Sequence, residues 1–389
     1  MGGLTGLTFA VVYALASLPI GYVVDRYRRT WLLAGALTIW SLLTGASGFA
    51  QSYAALVVCR LGVALGEACG NPASFSLLSD IYALRRRGTV FSLFQVAPFL
   101  GIFLGVVSGG WLSNDIGWRN SFFLIGLIGL LVVPFLIGLP EPRRGLSEEK
   151  GSETDAALTS SPAFHVRAVL VSLFHMRAFR FLVMGMTLQN FVTSTFLNWN
   201  APFLSRLHHM SLADVGLWTA LPIGVGGAVG AVGSGVAVDY LARRSIGWYG
   251  WATGLVSASF FPVAAVQIWI GSTSFSIVVS FLTAAMASFY LGPVFATANS
   301  LVPPATRGTT TAVLMTIPAI FGTGLGPFVA GTLSDHISIA YGLGEESLRY
   351  ALLVSFLPAF GAAIAFYFMG RELARAEHSE PKEGRVCKP

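Results

Sequence analysis

The chain has 389 residues, of which 54% are hydrophobic and 11% are charged. Soluble domains carry about 25% charged residues, so this composition excludes an ordinary soluble protein and indicates one that crosses a membrane several times. The formal net charge of +6 needs no nucleic acid to explain it, because membrane proteins concentrate Lys and Arg in the loops on one side.

Eleven apolar spans are predicted, each about 20–28 residues long, which is the length that a helix needs to cross a hydrocarbon core of about 30 Å. They indicate an all-α polytopic membrane protein. A polar linker, 140–178, separates an N-terminal bundle of five spans, 1–139, from a C-terminal bundle of six, 179–370, and a tail, 371–389, follows. The predicted spans are 4–24, 31–49, 54–81, 89–112, 120–139, 179–204, 212–238, 246–270, 274–302, 309–333 and 350–369.

The predicted loops differ in charge from one side to the other. When the loop 25–29, DRYRR, is placed in the cytoplasm, most Lys and Arg residues fall on that side together with the C-terminal tail. This asymmetry predicts a cytoplasmic C-terminus and supports the span count.

Glu67 and Arg60 lie in the third predicted span. A charged residue at bilayer depth costs about 2.5–3.5 kcal/mol, and such residues are functional by default. A separation of seven residues puts both on nearly the same helix face but about 10 Å apart along the axis, too far for direct pairing. We predict that Glu67 couples proton movement and that Arg60 anchors an anionic head group. The alternatives are an acid neutralised by a neighbouring helix and an arginine that extends to the outer surface.

The linker 140–178 has two parts. The first, PEPRRGLSEEKGSETDAALTSSP, is typical of a flexible polar segment. The second, AFHVRAVLVSLFHMRAF, predicts an amphipathic helix that lies at the membrane interface.

The two sides of the linker repeat each other. Residues 21–25 recur as 235–239, G-x-x-x-D, and residues 87–89 recur as 307–309, R-G-T, at a nearly constant offset. These landmarks indicate duplication into parallel repeats, an architecture known among transporters. The span 179–204 has no counterpart before the linker, so we expect that truncation has removed one helix from the first half.

Several segments resemble the major facilitator superfamily across essentially the whole chain. The loop 21–29 is similar to the family's signature loop, although Arg28 stands where that pattern has Gly. The segment 117–122, GWRNSF, resembles the entry to the family's sixth helix, and the glycine series at 101–109 and 322–327 resemble motifs of its fifth and eleventh helices. The resemblance implies two pseudo-symmetric helical bundles around a central cavity.

A narrower resemblance is to the spinster-like branch of that superfamily. It is carried by R-x-x-x-x-x-G-E-A at 60–68, by Asp80 and by R-G-T at 87–89. Spinster-like proteins are associated with the transport of lysolipids and sphingoid phosphates, so the resemblance implies an amphipathic anion as substrate.

The resemblance also implies a conformational latch at the cytoplasmic ends of the spans. Asp25 would face the N-terminus of the span near Gly308, and Asp239 would do the same near Gly88, because a helix N-terminus favours an anion. Asp80 would pair with Arg26 or Arg29. The alternative is ordinary solvated loop charge. The predicted latch residues are Asp25, Arg26, Arg29, Asp80, Asp239 and Arg243.

For the polar span 179–204 the resemblance implies a helix that lines the cavity. Gln189, Thr193 and Asn200 can form one stripe along it. The alternative is hydrogen bonding between helices. The predicted substrate-binding residues, drawn from this span and three others, are Arg60, Gln95, Gln189, Asn190, Thr193, Asn198, Tyr290 and Asn299.

The sequence therefore predicts a secondary transporter, proton-linked or facilitative, for an amphipathic anion such as a lysolipid. A drug or organic-anion exchanger of the same superfamily and a transport-inactive sensor or scaffold are the alternatives. No enzyme motif is present, and no cofactor or metal is predicted. The expected partners are the small substrate, protons and membrane lipids, without nucleic acid, and we expect a monomer in the bacterial inner membrane.

Overall fold

The computed structural model describes residues 2–147 and 162–379. Within these two ranges the chain forms α-helices and no strand, which confirms the all-α class. The helices before the linker are α1 Gly2–Arg26, α2 Arg29–Ser47, α3 Tyr53–Glu67, α4 Gly70–Ile81, α5 Leu84–Phe94, α6 Val96–Asp115 and α7 Gly117–Gly138. Those after it are α8 Pro162–His175, α9 Arg177–Leu207, α10 Leu212–Leu221, α11 Gly227–Leu241, α12 Trp248–Trp269, α13 Thr273–Ser288, α14 Leu291–Ser300, α15 Arg307–Pro318, α16 Leu325–Tyr341, α17 Ser347–Phe356 and α18 Pro358–Ser379.

Many of the predicted spans consist of two helices joined by a short break. Pro222–Gly226 and Ala319–Gly324 form π-helical turns, which are common at functional sites. Among the described residues, nine helices or joined helices are long and apolar enough to cross a membrane, and ten if α8 and α9 count as one bent span. The 25-residue helix α1 is not among them, so the number eleven stays a prediction.

The helix α8 turns away from the direction of the spans. It meets α9 at 93°, across a break at Met176. Val169 and Leu173 on α8 are buried in the protein core, whereas Arg167 and Phe174 are exposed. A helix that crosses its neighbouring span at a right angle, with one buried and one exposed face, has the geometry expected of an interfacial helix.

Side-chain contacts repeat between the two halves as the sequence landmarks do. The guanidinium of Arg87 donates to the carbonyl of Ser79 at 2.8 Å, and that of Arg307 donates to the carbonyl of Asn299 at 3.2 Å. Both arginines are fully buried, at 1% exposure. In each half the arginine bonds to the carbonyl eight residues before it, which supports the duplication. By this correspondence, α4 and α5 of the first half are equivalent to α14 and α15 of the second.

The two halves meet through a pair of equivalent aromatic rings. Phe75 on α4 and Phe295 on α14 occupy matching positions of the repeat and stack with their centroids 4.4 Å apart. Phe91 lies against Phe75 at 4.7 Å, and all three side chains are completely buried. This aromatic cluster packs the two halves against each other at this point.

Candidate functional site

One end of the bundle collects the charged segments 25–29, 80–88, 239–244 and 299–308, and is called the basic end below. Here Asp25, the residue before the last of α1, faces the first turn of α15. Its carboxylate accepts hydrogen bonds from the N–H groups of Gly308 and Thr309, at 2.7 and 2.8 Å, and from the Thr309 hydroxyl at 2.6 Å. These N–H groups are unsatisfied within the helix and carry its positive dipole end, so they stabilise the anion.

This contact requires a close approach of the two backbones. A Cβ atom at Gly308 would lie 2.7 Å from the Asp25 carboxylate and 2.8 Å from the carbonyl oxygen of Gly21. A Cβ atom at Gly21 would lie 2.8 Å from the carbonyl oxygen of Gly308. Both glycines therefore permit the contact by lacking a side chain.

The second half makes the matching contact in the other direction. Asp239 on α11 accepts from the N–H of Thr89 at 2.7 Å and from its hydroxyl at 2.6 Å, and the Tyr249 hydroxyl donates to the other carboxylate oxygen at 2.6 Å. A Cβ atom at Gly88 would overlap this carboxylate. The helix α5 begins at Leu84, before the predicted start at 89, so Thr89 lies inside the second turn instead of at the helix end.

Asp80 joins the two halves through buried charge. Its carboxylate forms ion pairs with Arg29 of its own half and, at 3.0 Å, with Arg307 of the other half. Arg29 also pairs with Glu141 at 2.7 Å. Two guanidinium groups thus share two carboxylates, and Arg29, Asp80 and Arg307 are at most 1% exposed. Such a cluster is retained only when it is fully paired, because each unpaired buried charge is costly.

The start of the linker is ordered and lies on this cluster, contrary to the expectation of a flexible segment. The residues 141–147 are called the strap below. Glu141 accepts from the N–H and the hydroxyl of Thr30, at 3.0 and 3.1 Å, and the N–H of Gly145 donates to Asp80 at 2.9 Å. Partial burial alone would raise the pKa of Glu141, but the hydrogen bonds from Thr30 and Arg29 outweigh it and hold the pKa below its usual value.

The strap also contacts the repeated arginine of the first half. The Ser147 hydroxyl donates to the carbonyl of Ser79 at 2.7 Å and lies 3.1 Å from the guanidinium of Arg87. The guanidinium of Arg144 donates to the carbonyl of Val24 at 2.8 Å. The remainder of the predicted flexible segment, up to 161, lies outside the described residues.

Two predicted latch residues lie beside these contacts without taking part in them. The guanidinium of Arg26 lies over the ring of Tyr22 at 4.5 Å, and that of Arg243 lies over the ring of Tyr240 at 5.6 Å. Both arginines are exposed. Arg29 pairs with Asp80 and Arg26 does not, because Arg29 begins α2 and faces inward.

Polar residues of the second half meet near the middle of α9. Asn190 donates to the hydroxyl of Thr323 and to the carbonyl of Pro318, each at 2.9 Å, and accepts from the Tyr290 hydroxyl at 3.3 Å. Thr193 donates to the carbonyl of Ala287 at 2.9 Å. These bonds join α9 to the helices packed beside it, in agreement with the alternative interpretation that the polar stripe holds the bundle together.

Gln189 differs from its neighbours. Its side chain is completely buried, yet neither amide atom has a hydrogen-bond partner in the described part of the chain. The carbonyl oxygen of Gln95, which is 7% exposed at the break between α5 and α6, also has no partner among the residues described. A buried polar group left unpaired costs about 1–3 kcal/mol, so both amides are sites where a ligand or water can bind.

Two predicted substrate-binding residues are placed elsewhere. Asn299 lies at the basic end, where its amide donates to the carbonyl of Phe295 at 2.9 Å, and it is completely buried there. Asn198 is exposed and donates to the carbonyl of Ser194 one turn back at 2.8 Å. Sequence alone cannot distinguish these local bonds from cavity lining, since all place an amide in an apolar span.

Glu67 and Arg60 do not meet, as their spacing indicated. Glu67 is the last residue of α3 and is exposed at the break before α4. The guanidinium of Arg60 lies over the ring of Phe122 at 5.2 Å. Neither forms an ion pair with any residue that the structure describes. Nearby on α4, the Asn71 amide contacts the sulfur of Met315 in the other half at 3.3 Å.

The two linked bundles and the paired contacts between them define the class of protein. A family model of the Major Facilitator Superfamily matches residues 1–320, and the chain belongs to that superfamily. It is therefore a membrane transporter and not an enzyme.

Three relatives refine this assignment. The chain is 28% identical over 356 residues to an MFS-type efflux pump of Mycolicibacterium smegmatis, covering 91% of this chain and 80% of the relative. It is 25% identical over 409 residues to the protein spinster homolog 3 of Danio rerio, covering 98% and 79%. A crystal structure of a bacterial homolog to the human lysosomal transporter spinster, inward-facing and unoccupied, is 26% identical with a TM-score of 0.64, covering 96% of this chain and 89% of that one. Spinster proteins are thus among the relatives of this chain, as the resemblance in the sequence implied.

Proposed function

We propose that this transporter moves an amphipathic organic anion by alternating access, with its basic end toward the cytoplasm of a bacterial inner membrane. The closed basic end is the observation that carries the proposal. Asp25, Asp80 and Asp239 each contact the opposite half there, and Phe75 of one half stacks on Phe295 of the other. These contacts form one cooperative cluster, so they favour two discrete states, closed or open at this end.

The buried amide of Gln189 supports a polar contact for the substrate. Both polar atoms of this amide are buried and neither has a hydrogen-bond partner among the described residues, so they can still accept a hydrogen bond from a polar group of the substrate and donate one to it. Asn190 and Tyr290 beside it already have partners, so they hold the position of α9 instead of binding the substrate directly.

Glu67 is the candidate for proton coupling. Its exposed carboxylate at the break between α3 and α4 carries no ion pair within the described ranges, and intramembrane carboxylates of this kind often take part in proton relays. The guanidinium of Arg60, held over an aromatic ring, would attract the head group of the anion.

Uptake by proteoliposomes that contain the full chain tests the proposal. The substrate is a fluorescent lysophosphatidylglycerol, measured with and without a pH gradient, and we expect Glu67→Gln to abolish the response to the gradient. Glu345→Gln, which removes an exposed loop carboxylate, is the matched control and should behave as wild type. The proposal fails if wild-type protein moves no anion and Glu67→Gln leaves proton flux unchanged.

The likeness to an efflux pump favours a second candidate, an exporter of drugs or organic anions. The same vesicles loaded with a dye that is not a lipid, cationic in one experiment and anionic in another, discriminate between the two. Movement of either dye without movement of the lysolipid would replace the first candidate by the second.

A further inference from the structure

A groove at the basic end lies outside the contacts between the halves. It runs between the first turns of α9 and the last turns of α18 and has a volume of about 420 Å³. Four arginines reach into it from the two helices, and apolar side chains form its floor. The lining residues are Arg177, Arg180, Phe181, Met184, Phe368, Arg371, Glu372 and Arg375.

The groove has an excess of positive charge. Arg375 pairs with Glu372 at 2.9 Å, which leaves Arg177, Arg180 and Arg371 without a carboxylate partner among the residues described. All three are exposed. Cations gathered around one small groove repel one another unless an anion lies between them. The guanidinium groups of these arginines are planar, and their parallel N–H groups can donate two hydrogen bonds at once to the oxygens of a phosphate group.

A second, apolar groove adjoins the charged one at a shared lining residue. Phe368 lines both, stacking on Phe181 on one side with centroids 5.3 Å apart. The second groove, of about 520 Å³, lies between α12 and α18 and contains no charged residue. It extends along the span away from the basic end. Its lining residues are Trp251, Gly254, Leu255, Ala363, Ile364, Tyr367 and Phe368.

We propose that these joined grooves bind an anionic phospholipid. The phosphate lies among Arg177, Arg180 and Arg371, and one acyl chain follows the apolar groove past Phe368. The arrangement favours a lipid over a free phosphate because the arginines lie next to an apolar groove on the surface of the spans. A lipid can place its phosphate among the arginines and its acyl chain in that groove, whereas a free phosphate uses the arginines alone. Basic pockets between spans at the cytoplasmic side bind anionic head groups in this manner. The site does not depend on the transported substrate, since it lies at the outer ends of α9 and α18.

Native mass spectrometry of the full chain in a neutral detergent tests the site. The probes are phosphatidylglycerol, phosphatidylcholine and inorganic phosphate, each titrated separately. We expect phosphatidylglycerol to bind in preference to phosphatidylcholine, and the double substitution Arg180→Gln with Arg371→Gln to weaken it at least tenfold. The matched control is Arg86→Gln with Arg244→Gln, which removes the same charge from exposed positions at the same end and should leave affinity unchanged.

Three outcomes would overturn the proposal. They are equal binding of the two lipids by wild-type protein, unchanged affinity in the Arg180/Arg371 variant, and an equal loss in the control pair. Binding of inorganic phosphate as tight as that of phosphatidylglycerol would show a site for a soluble anion and would also refute the lipid. Should the glutamine variant misfold, Arg180→Lys with Arg371→Lys keeps the charge but removes the paired N–H donors of the guanidinium. We expect this variant to bind phosphatidylglycerol only a few fold more weakly than wild type.

Discussion

Replacing Gly308 by alanine should open the basic end. The new Cβ atom would meet the carbonyl oxygen of Gly21 at 2.8 Å and the Asp25 carboxylate at 2.7 Å, whereas ordinary contacts begin at 3.4 Å. The obstacle at Gly21 is backbone, which cannot rotate away as a side chain can. Overpacking of this kind costs about 1–3 kcal/mol.

That cost applies to the closed state alone, because Gly21 faces Gly308 only when the halves are together. The ratio of closed to open protein should therefore fall by about 5- to 150-fold. Alanine also stabilises a helix relative to glycine, by up to about 1 kcal/mol, but it does so in both states. Gly233→Ala is the control for this gain, since a Cβ atom there meets nothing within 4 Å.

Spin labels at the basic end measure the opening. Arg28 and Arg244 are exposed, one in each half, and can be replaced by cysteine for labelling after the three native cysteines are removed. Double electron–electron resonance should show a longer distance gaining population with Gly308→Ala and no change with Gly233→Ala. The reasoning is refuted if both variants keep the wild-type distribution of distances.

Asp80→Asn removes the carboxylate shared by Arg29 and Arg307, so we expect a loss of about 3–5 kcal/mol in stability, seen as a lower thermal midpoint in detergent; an unchanged midpoint would contradict the buried ion pairs. Because the folded protein lowers the pKa of Glu141, its contribution to stability is present above the unfolded value of about 4.3 and is lost as pH falls through the folded pKa. Glu141→Gln should therefore flatten the stability profile in that acidic window, and a profile parallel to wild type would argue against it. Gln189→Leu removes an unpaired buried amide, so we expect higher thermal stability together with loss of transport; lower stability would show that the amide has a partner.

The sequence predicted the contacts of Asp25 and Asp239 because the same motif occurs twice. A carboxylate ends a span in both halves, and each contacts the other half in the structure: Asp25 at the start of α15, and Asp239 at the second turn of α5. It did not predict the burial of Arg307. That arginine precedes a predicted span, a position typical of loop charge, although its recurrence with Arg87 in R-G-T was a signal of a structural role.

The strap could not be predicted from composition. Its bonds to Asp80 and Thr30 use groups that are distant in sequence and come together only in the folded protein. Polar residues such as Glu141 look the same in a mobile linker and in an ordered one. Asn299 could not be placed from the sequence either. Its amide bonds to the carbonyl of Phe295 one helical turn back, and no sequence pattern distinguishes that bond from one to a substrate.

The ion pair between Asp80 and Arg307 has no mirror image. The repeat would place its counterpart between Arg87 and residue 300, but residue 300 is a serine, whose hydroxyl donates to the carbonyl of Thr297 instead. The repeat therefore places a carboxylate at this position in the first half only. Opening of the basic end separates Arg307 from Asp80, but Arg29 belongs to the same half as Asp80, so the carboxylate keeps one guanidinium partner in both states.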